Sequence, residues 1–264
     1  MGNKVVNPYL LVALTSAIST SLSAQTSLKE YLPEDIHAQY AESQKTEVWS
    51  PLPPIVSVNE QGVPSDAIVL LGANTSSLDA WEPVKSDTVE WLLEDGVMTV
   101  KPGSGDIQTK QDFCSVQLHL EWRAPADSQG KKDQLKNNSG VFLQNRYEVQ
   151  ILDSYNNQTY VNGQAASVYK QTPPLVNAMR PSGEWQSYDI IFSAPVFDDF
   201  GAFVEHGRVT VMHNGVLVQN HTKILGTTEW IGPGKIAAHG CDAIKLQDHG
   251  DKVSFRNIWV RPLP

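Results

Sequence analysis

The segment Tyr147-Glu148-Val149-Gln150-Ile151-Leu152-Asp153-Ser154 places a carboxyl, an amide and a second carboxyl at the spacing Glu-x-Gln-x-x-Asp. Side chains of a strand alternate between faces, so Glu148 and Gln150 share one face and Tyr147, Val149 and Ile151 the other. Asp153 has the wrong parity for the polar face unless a bulge follows Gln150. A solvated strand face is the plain alternative for this segment taken alone. Three other stretches also insert hydrogen-bonding groups into apolar runs: Asn137-Asn138-Ser139-Gly140, Leu246-Gln247-Asp248-His249-Gly250 and Phe255-Arg256-Asn257-Ile258-Trp259. If these strands are neighbours, Glu148, Gln150, Gln247, His249 and Arg256 meet in one groove. Bidentate polar groups beside flat rings suit a sugar.

Such a groove needs a sheet, and the chain from residue 66 onward reads as β structure. Short apolar runs are punctuated by turn residues: Ile68 to Leu71, Met98 to Lys101, Val116 to Trp122, Gly140 to Leu143, Tyr147 to Leu152, Ser187 to Phe192, Arg208 to His213, Val216 to Gln219 and Val253 to Val260. Val116, Leu118, Leu120 and Trp122 alternate with Gln117, His119 and Glu121, the pattern of a half-buried strand. Asn214-Gly215 between two runs is a hairpin signal of type I′. After residue 66 there is no long helical period, βαβ alternation, P-loop or dinucleotide glycine motif. The expected fold is all-β, an antiparallel jelly roll of two packed sheets.

Ahead of that domain, Tyr9 to Ile18 is a short apolar run followed by small residues up to Ala24, which reads as a signal peptide spanning 1–24. The expected location is therefore secreted or periplasmic, with no stable membrane span in the mature protein. Residues 25–65 read as an arm, with a weak helix over 31–44 and an extended part carrying Pro51, Pro53, Pro54 and Pro64. The jelly-roll domain is placed at 66–264. The 264 residues hold 20 Lys plus Arg against 29 Asp plus Glu, a net charge of −9, which argues against nucleic acid and against an anionic membrane surface. Two cysteines exclude a disulfide-dense scaffold and a four-cysteine zinc site.

The motifs N-N-S-G, Y-E-V-Q-I-L-D-S, G-E-W-Q-S-Y-D-I, V-T-V-M-H-N-G-V, L-Q-D-H-G and R-N-I-W-V-R, in this order over residues 66 to 264, resemble the 3-keto-disaccharide hydrolase domain. The resemblance implies a concanavalin-like jelly roll, related in fold to lectins and laminarinase-type glucanases. It also implies an exported protein acting on glycosides oxidised at C3. The Glu148, Gln150, Asp153 spacing is similar to the Glu-x-Asp-x-x-Glu strand of laminarinase-type enzymes, but Gln150 cannot ionise. That departure disfavours an unassisted retaining glycosidase.

A C3 carbonyl acidifies the C2 proton, and its removal lets the C1 substituent leave by β-elimination before water adds back. Such a site needs a base near C2, donors for the enolate oxygen and an acid for the leaving oxygen. Glu148 and His249 are the candidate bases, and Asp153 or Asp248 the candidate acid. Arg256 and Lys170 are candidate stabilisers, although a structural ion pair is the more natural role for Arg256. Gln150, Gln247, Tyr169 and Asn138 are candidate substrate contacts. Asp189, Asn214 and Asn257 read as turn or hydrogen-bonding residues. No cofactor is required; a divalent metal, catalytic or a structural calcium, stays an open alternative but is not indicated, because His239-Gly240-Cys241-Asp242 is compact but incomplete as a zinc site. Cys114 and Cys241 are either a disulfide or two buried thiols. The alternative to an enzyme is a non-catalytic carbohydrate-binding module on the same scaffold.

Overall fold

The structure, a computed structural model, describes Pro33 and residues 36–264. The expected signal peptide lies outside the described residues. The chain divides into a unit ending at Ile55 and a unit from Val56 to Pro264. In the first, α1 (His37–Ser43) buries none of its residues. A short 3-10 turn, Gln44–Thr46, follows it, and Glu47 beyond is extended (φ −79°, ψ 132°).

The second unit contains fifteen strands among the described residues. They are β1 (Ile68–Leu71), β2 (Trp81–Pro83), β3 (Leu92–Glu94), β4 (Val97–Thr99), β5 (Ile107–Phe113), β6 (Val116–Arg123), β7 (Ser139–Leu143), β8 (Tyr147–Ile151), β9 (Gln186–Ser193), β10 (Val196–Phe197), β11 (Phe203–Glu205), β12 (Arg208–His213), β13 (Val216–Lys223), β14 (Asp242–Leu246) and β15 (Ser254–Pro262). An eight-stranded sheet runs β13-β12-β9-β6-β15-β4-β3, with β1 also paired to β15. A five-stranded sheet runs β2-β5-β14-β7-β8, and β10-β11 form a separate ribbon. The fold is the two-sheet antiparallel jelly roll that the sequence predicts.

Alternation builds the core between the sheets. Val116, Leu118, Leu120 and Trp122 of β6 are buried, as are Val141 and Leu143 of β7, Val149 and Ile151 of β8, and Ile244 and Leu246 of β14. Each fully buried side chain of this size contributes about 1.5–3 kcal/mol. Tyr188 of β9 crosses this core and donates its hydroxyl to the Gln150 carbonyl at 2.8 Å. The tie joins the eight-stranded sheet to the strand that carries Glu148. The hairpin at Asn214-Gly215 has positive φ at both residues, 52° and 78°, as a type I′ turn demands.

Cys114 and Cys241 form a disulfide, with Cα atoms 4.5 Å apart. It joins the β5–β6 turn to the start of β14, where Asp242 pairs with Phe113. Paired in this way, Cys241 has no thiolate to offer a metal. Closing a 127-residue separation restricts the unfolded chain, and loss of a native disulfide costs about 2–5 kcal/mol. Replacing both cysteines with alanine is therefore expected to lower the melting temperature by roughly 5–15 °C. Thermal unfolding of both proteins, with and without reductant, checks this. Reductant should shift the wild type alone.

Candidate active site

The core-facing residues of the five-stranded sheet fix by alternation what lies on its outer face. One line of paired residues crosses all five strands: Glu82, Gln108, Lys245, Phe142 and Glu148. Along the neighbouring line Gly140 pairs with Gln150, and the Gln247 N–H donates to the Gly140 carbonyl at 3.1 Å. Glu148, Gln150, Gln247 and Lys245 therefore share this face.

Glu148 stands at the β8 end of this line, only 5% exposed. A Cβ on Gly140 would come within 2.5 Å of Glu148 Oε1, so the absence of a side chain lets the carboxyl lean across β7. No hydrogen bond or ion pair reaches this carboxyl from the described residues. Burial pushes its pKa from the ordinary 4.5 up to about 8, with Lys245 opposing the rise and Asp106 adding to it. The Lys245 ammonium stands 4.0 Å over the Phe142 ring and 3.3 Å from Asp106 Oδ2. Gln150 donates to Gln134 Oε1 at 3.1 Å, while its own Oε1 and that of Gln247 are buried without partners. An unpaired buried acceptor costs about 1–3 kcal/mol unless a ligand supplies a donor.

Two segments wall this face beyond β8. Tyr169 donates its backbone N–H to the Glu148 carbonyl at 3.2 Å, and its hydroxyl meets that of Tyr160 at 2.6 Å. Tyr160 lies against Gly163, where any side chain would clash with the ring. Burial raises the pKa of both tyrosines, so their hydroxyls stay protonated and can donate. Along the same edge Thr228 Oγ1 accepts the Glu148 N–H at 2.9 Å, and the Thr228 N–H donates to Arg146 O at 2.8 Å. Lys170 donates its ammonium to the Trp230 carbonyl at 2.6 Å.

Not every expected site residue gathers here. The β7–β8 register is unbroken, so no bulge follows Gln150 and β8 ends at Ile151. Asp153 is wholly buried beyond the strand end, held by Asn137, Ser182 and Lys136 at 3.2, 2.6 and 3.1 Å. Those bonds engage both of its carboxylate oxygens, and without the bulge it does not join the Glu148 face. Arg256 stands on β15 of the other sheet. It pairs with Glu121 at 2.6 Å and stacks 4.1 Å over Trp185, so it is absent from the groove. Asp248 accepts the Gly105 and Gly250 N–H groups and shapes a turn. His249 follows it in that turn, exposed and without a hydrogen-bond partner among the described residues, two residues past the Gln247 line. The Asn138 amide donates to the Gln134 carbonyl at 2.7 Å. Lys245, Phe142, Tyr160 and Gln134 were not expected. Lys245 was accessible in principle, because Ile244 and Leu246 flank it in strand alternation and Gln247 has the same phase.

Among the described residues no three His, Cys, Asp or Glu side chains converge as a metal-ligand set, and no helix is long and apolar enough to span a membrane.

The fold and face together define a β-sandwich with a carboxyl-centred polar site on the outer side of its smaller sheet. Residues 66–261 match the model of the 3-keto-alpha-glucoside-1,2-lyase-like domain, and the chain belongs to that family. It is 25% identical over 235 residues to a 3-keto-disaccharide hydrolase of Bacteroides thetaiotaomicron, covering 71% of this chain and 76% of that one. A crystal structure from Parabacteroides distasonis, provisionally described as a glycosyl hydrolase, is 51% identical with a TM-score of 0.78, covering 83% of this chain and 96% of that one. A second protein from that organism, with the same description, shares the fold at 20% identity and a TM-score of 0.51, over 71% of this chain and 90% of its own.

The raised Glu148 pKa has a consequence for stability. Below about pH 4.5 the carboxyl is neutral in both folded and unfolded chains and carries no penalty. As pH rises toward about 8 the unfolded chain ionises while the folded one holds its proton, so stability falls through that window. Glu148→Gln should therefore be more stable than wild type at about pH 9, on the order of a few kcal/mol, and equal to it at about pH 4. Urea unfolding of both proteins at the two pH values measures the difference.

Proposed function

We propose that the protein is an exported enzyme that cleaves 3-keto-glycosides by C2 deprotonation, elimination and hydration. The observation that carries this reading is the buried, unpaired Glu148 carboxyl, raised to about 8 and set beside unpartnered acceptors that suit sugar hydroxyls. A carboxylate whose conjugate acid has so high a pKa is a stronger base than a solvated one. In the proposed step Glu148 takes the C2 proton, electron density moves to the C3 oxygen, and the C1–O bond breaks with departure of the alcohol. Lys245 stands in the same line of residues and supplies positive charge for the enolate oxygen. The Tyr160–Tyr169 hydroxyl pair supplies a proton for the leaving oxygen. Water then adds across the C1–C2 double bond, and the sequence needs no oxidant or reductant.

Membership of the family, and relatives described as hydrolases of 3-keto-disaccharides and glycosides, support this substrate class. Gln150 in place of a second strand carboxylate fits an enolate better than an oxocarbenium ion. Export is supported by the apolar run Tyr9 to Ile18 and by the paired cysteines, which suit an oxidising compartment. The alternative, a sugar-binding module without turnover, leaves the tuned carboxyl without a task.

Purified protein should release aglycone from a 3-keto-glucoside at least about a hundredfold faster than from its unoxidised parent. Solvent deuterium should enter C2 of the product. Equal rates, or unlabelled C2, overturn the elimination.

The site residues give a second test. Glu148→Gln should lower turnover roughly 100- to 10,000-fold, and Lys245→Met about 100-fold. The kcat/KM of the wild type should climb with pH to a limb near 8. That limb should be absent from any residual Glu148→Gln activity, as pH–rate profiles would show.

A further inference from the structure

We infer that the loop between Gly226 and Lys235 forms the leaving-group side of this site, with the Trp230 indole as the platform for a leaving group that has a flat ring face. The inference rests on the proposed function. The loop is closed on itself: the Thr227 N–H donates to Lys235 O at 3.0 Å, and the Lys235 N–H to Thr227 Oγ1 at 3.1 Å. Two glycines make the closure possible. A Cβ on Gly234 would come within 2.6 Å of Thr227 O, and one on Gly226 within 2.8 Å of the Gly234 carbonyl carbon. Glu229 reinforces the neck through Thr227 at 2.9 Å and Lys235 at 3.4 Å. The base of the loop is tied to β8 through Thr228, one bond of which ends on the Glu148 backbone. Its tip is tied through Lys170 to the turn that follows Tyr169.

This braced loop holds Trp230 74% exposed, and the indole has neither a ring contact nor a hydrogen bond among the described residues. A large side chain that burial would stabilise is thus kept in water on a rigid mount. The same loop contributes Thr227, Glu229 and Gly234 to a cavity of about 210 Å³ that Tyr169 and Lys170 also line. The cavity offers hydrogen-bonding groups for a ring's edge, and the indole offers a plane for its face. A sugar ring and an aryl group share that chemistry. A methyl group has neither a ring face nor a polar edge to offer.

The test uses methyl, phenyl and glucosyl 3-keto-glucosides with wild type, Trp230→Ala and Trp230→Phe. Trp230→Ala should raise KM at least about tenfold for the ring-bearing substrates and leave the methyl substrate unchanged, while Trp230→Phe restores most of the loss. Whichever of the phenyl and glucosyl substrates loses more identifies the kind of ring. Equal effects on all three, or none on the ring-bearing pair, overturn the platform. Calorimetric binding of the same ligands separates this from failure of the proposed function. If wild type turns over none of them, weaker binding of only the ring-bearing ligands to Trp230→Ala still supports the platform. Indistinguishable binding by the two proteins, or no binding, overturns it.

Discussion

Glu148 is held in the line Lys245, Phe142, Glu148, and its carboxyl leans over a residue that has no side chain. Moving a lone carboxylate into such a place costs several kcal/mol, and a protein relieves the cost by protonation or by a nearby cation. Here both remedies operate in part. The Lys245 charge is one phenyl ring away and is shared with Asp106, so it lowers the proton affinity without cancelling the effect of burial. Direct pairing would have held the carboxyl ionised and weakly basic. Gly140 is thus as necessary to this placement as Glu148, because a Cβ there would collide with the carboxyl.

The remaining polar groups divide by what surrounds them. Gln150 and Gln247 leave acceptors unsatisfied on the outer face of the sheet. Asp153 spends its oxygens on Lys136, Asn137 and Ser182 and secures the chain where it leaves β8. Tyr188 reaches through the core to the backbone of Gln150 and fixes that strand from behind. These bracing bonds lie beneath the face and at its ends.

Strand periodicity made much of this visible in the sequence. The phase of Glu148 and Gln150, the β6 alternation and the Asn214-Gly215 hairpin all depend on neighbours a few residues away. What periodicity cannot supply is which strand lies beside which. Arg256 has a suitable charge, yet β15 belongs to the other sheet, so it makes the structural ion pair with a strand carboxylate, Glu121, that was its more natural role and does not enter the groove. Asp153 needed a bulge, and whether a strand bulges depends on the register of its partner. The strand β5, Ile-Gln-Thr-Lys-Gln-Asp-Phe, is too polar to announce itself and is held by pairing with β2 and β14. Lys245 gained its meaning only when β14 was placed next to β7.

The disulfide brackets the chain in a way that bears on its topology. Glu148, Gln150, Tyr160, Tyr169 and Trp230 all lie between Cys114 and Cys241, inside one covalently closed circuit. Exposed loop tips such as that at Trp230 are where proteases cut first. A single cut anywhere in this circuit leaves one molecule, its two pieces joined through sulfur and through strands of both sheets. The site can be nicked without being split.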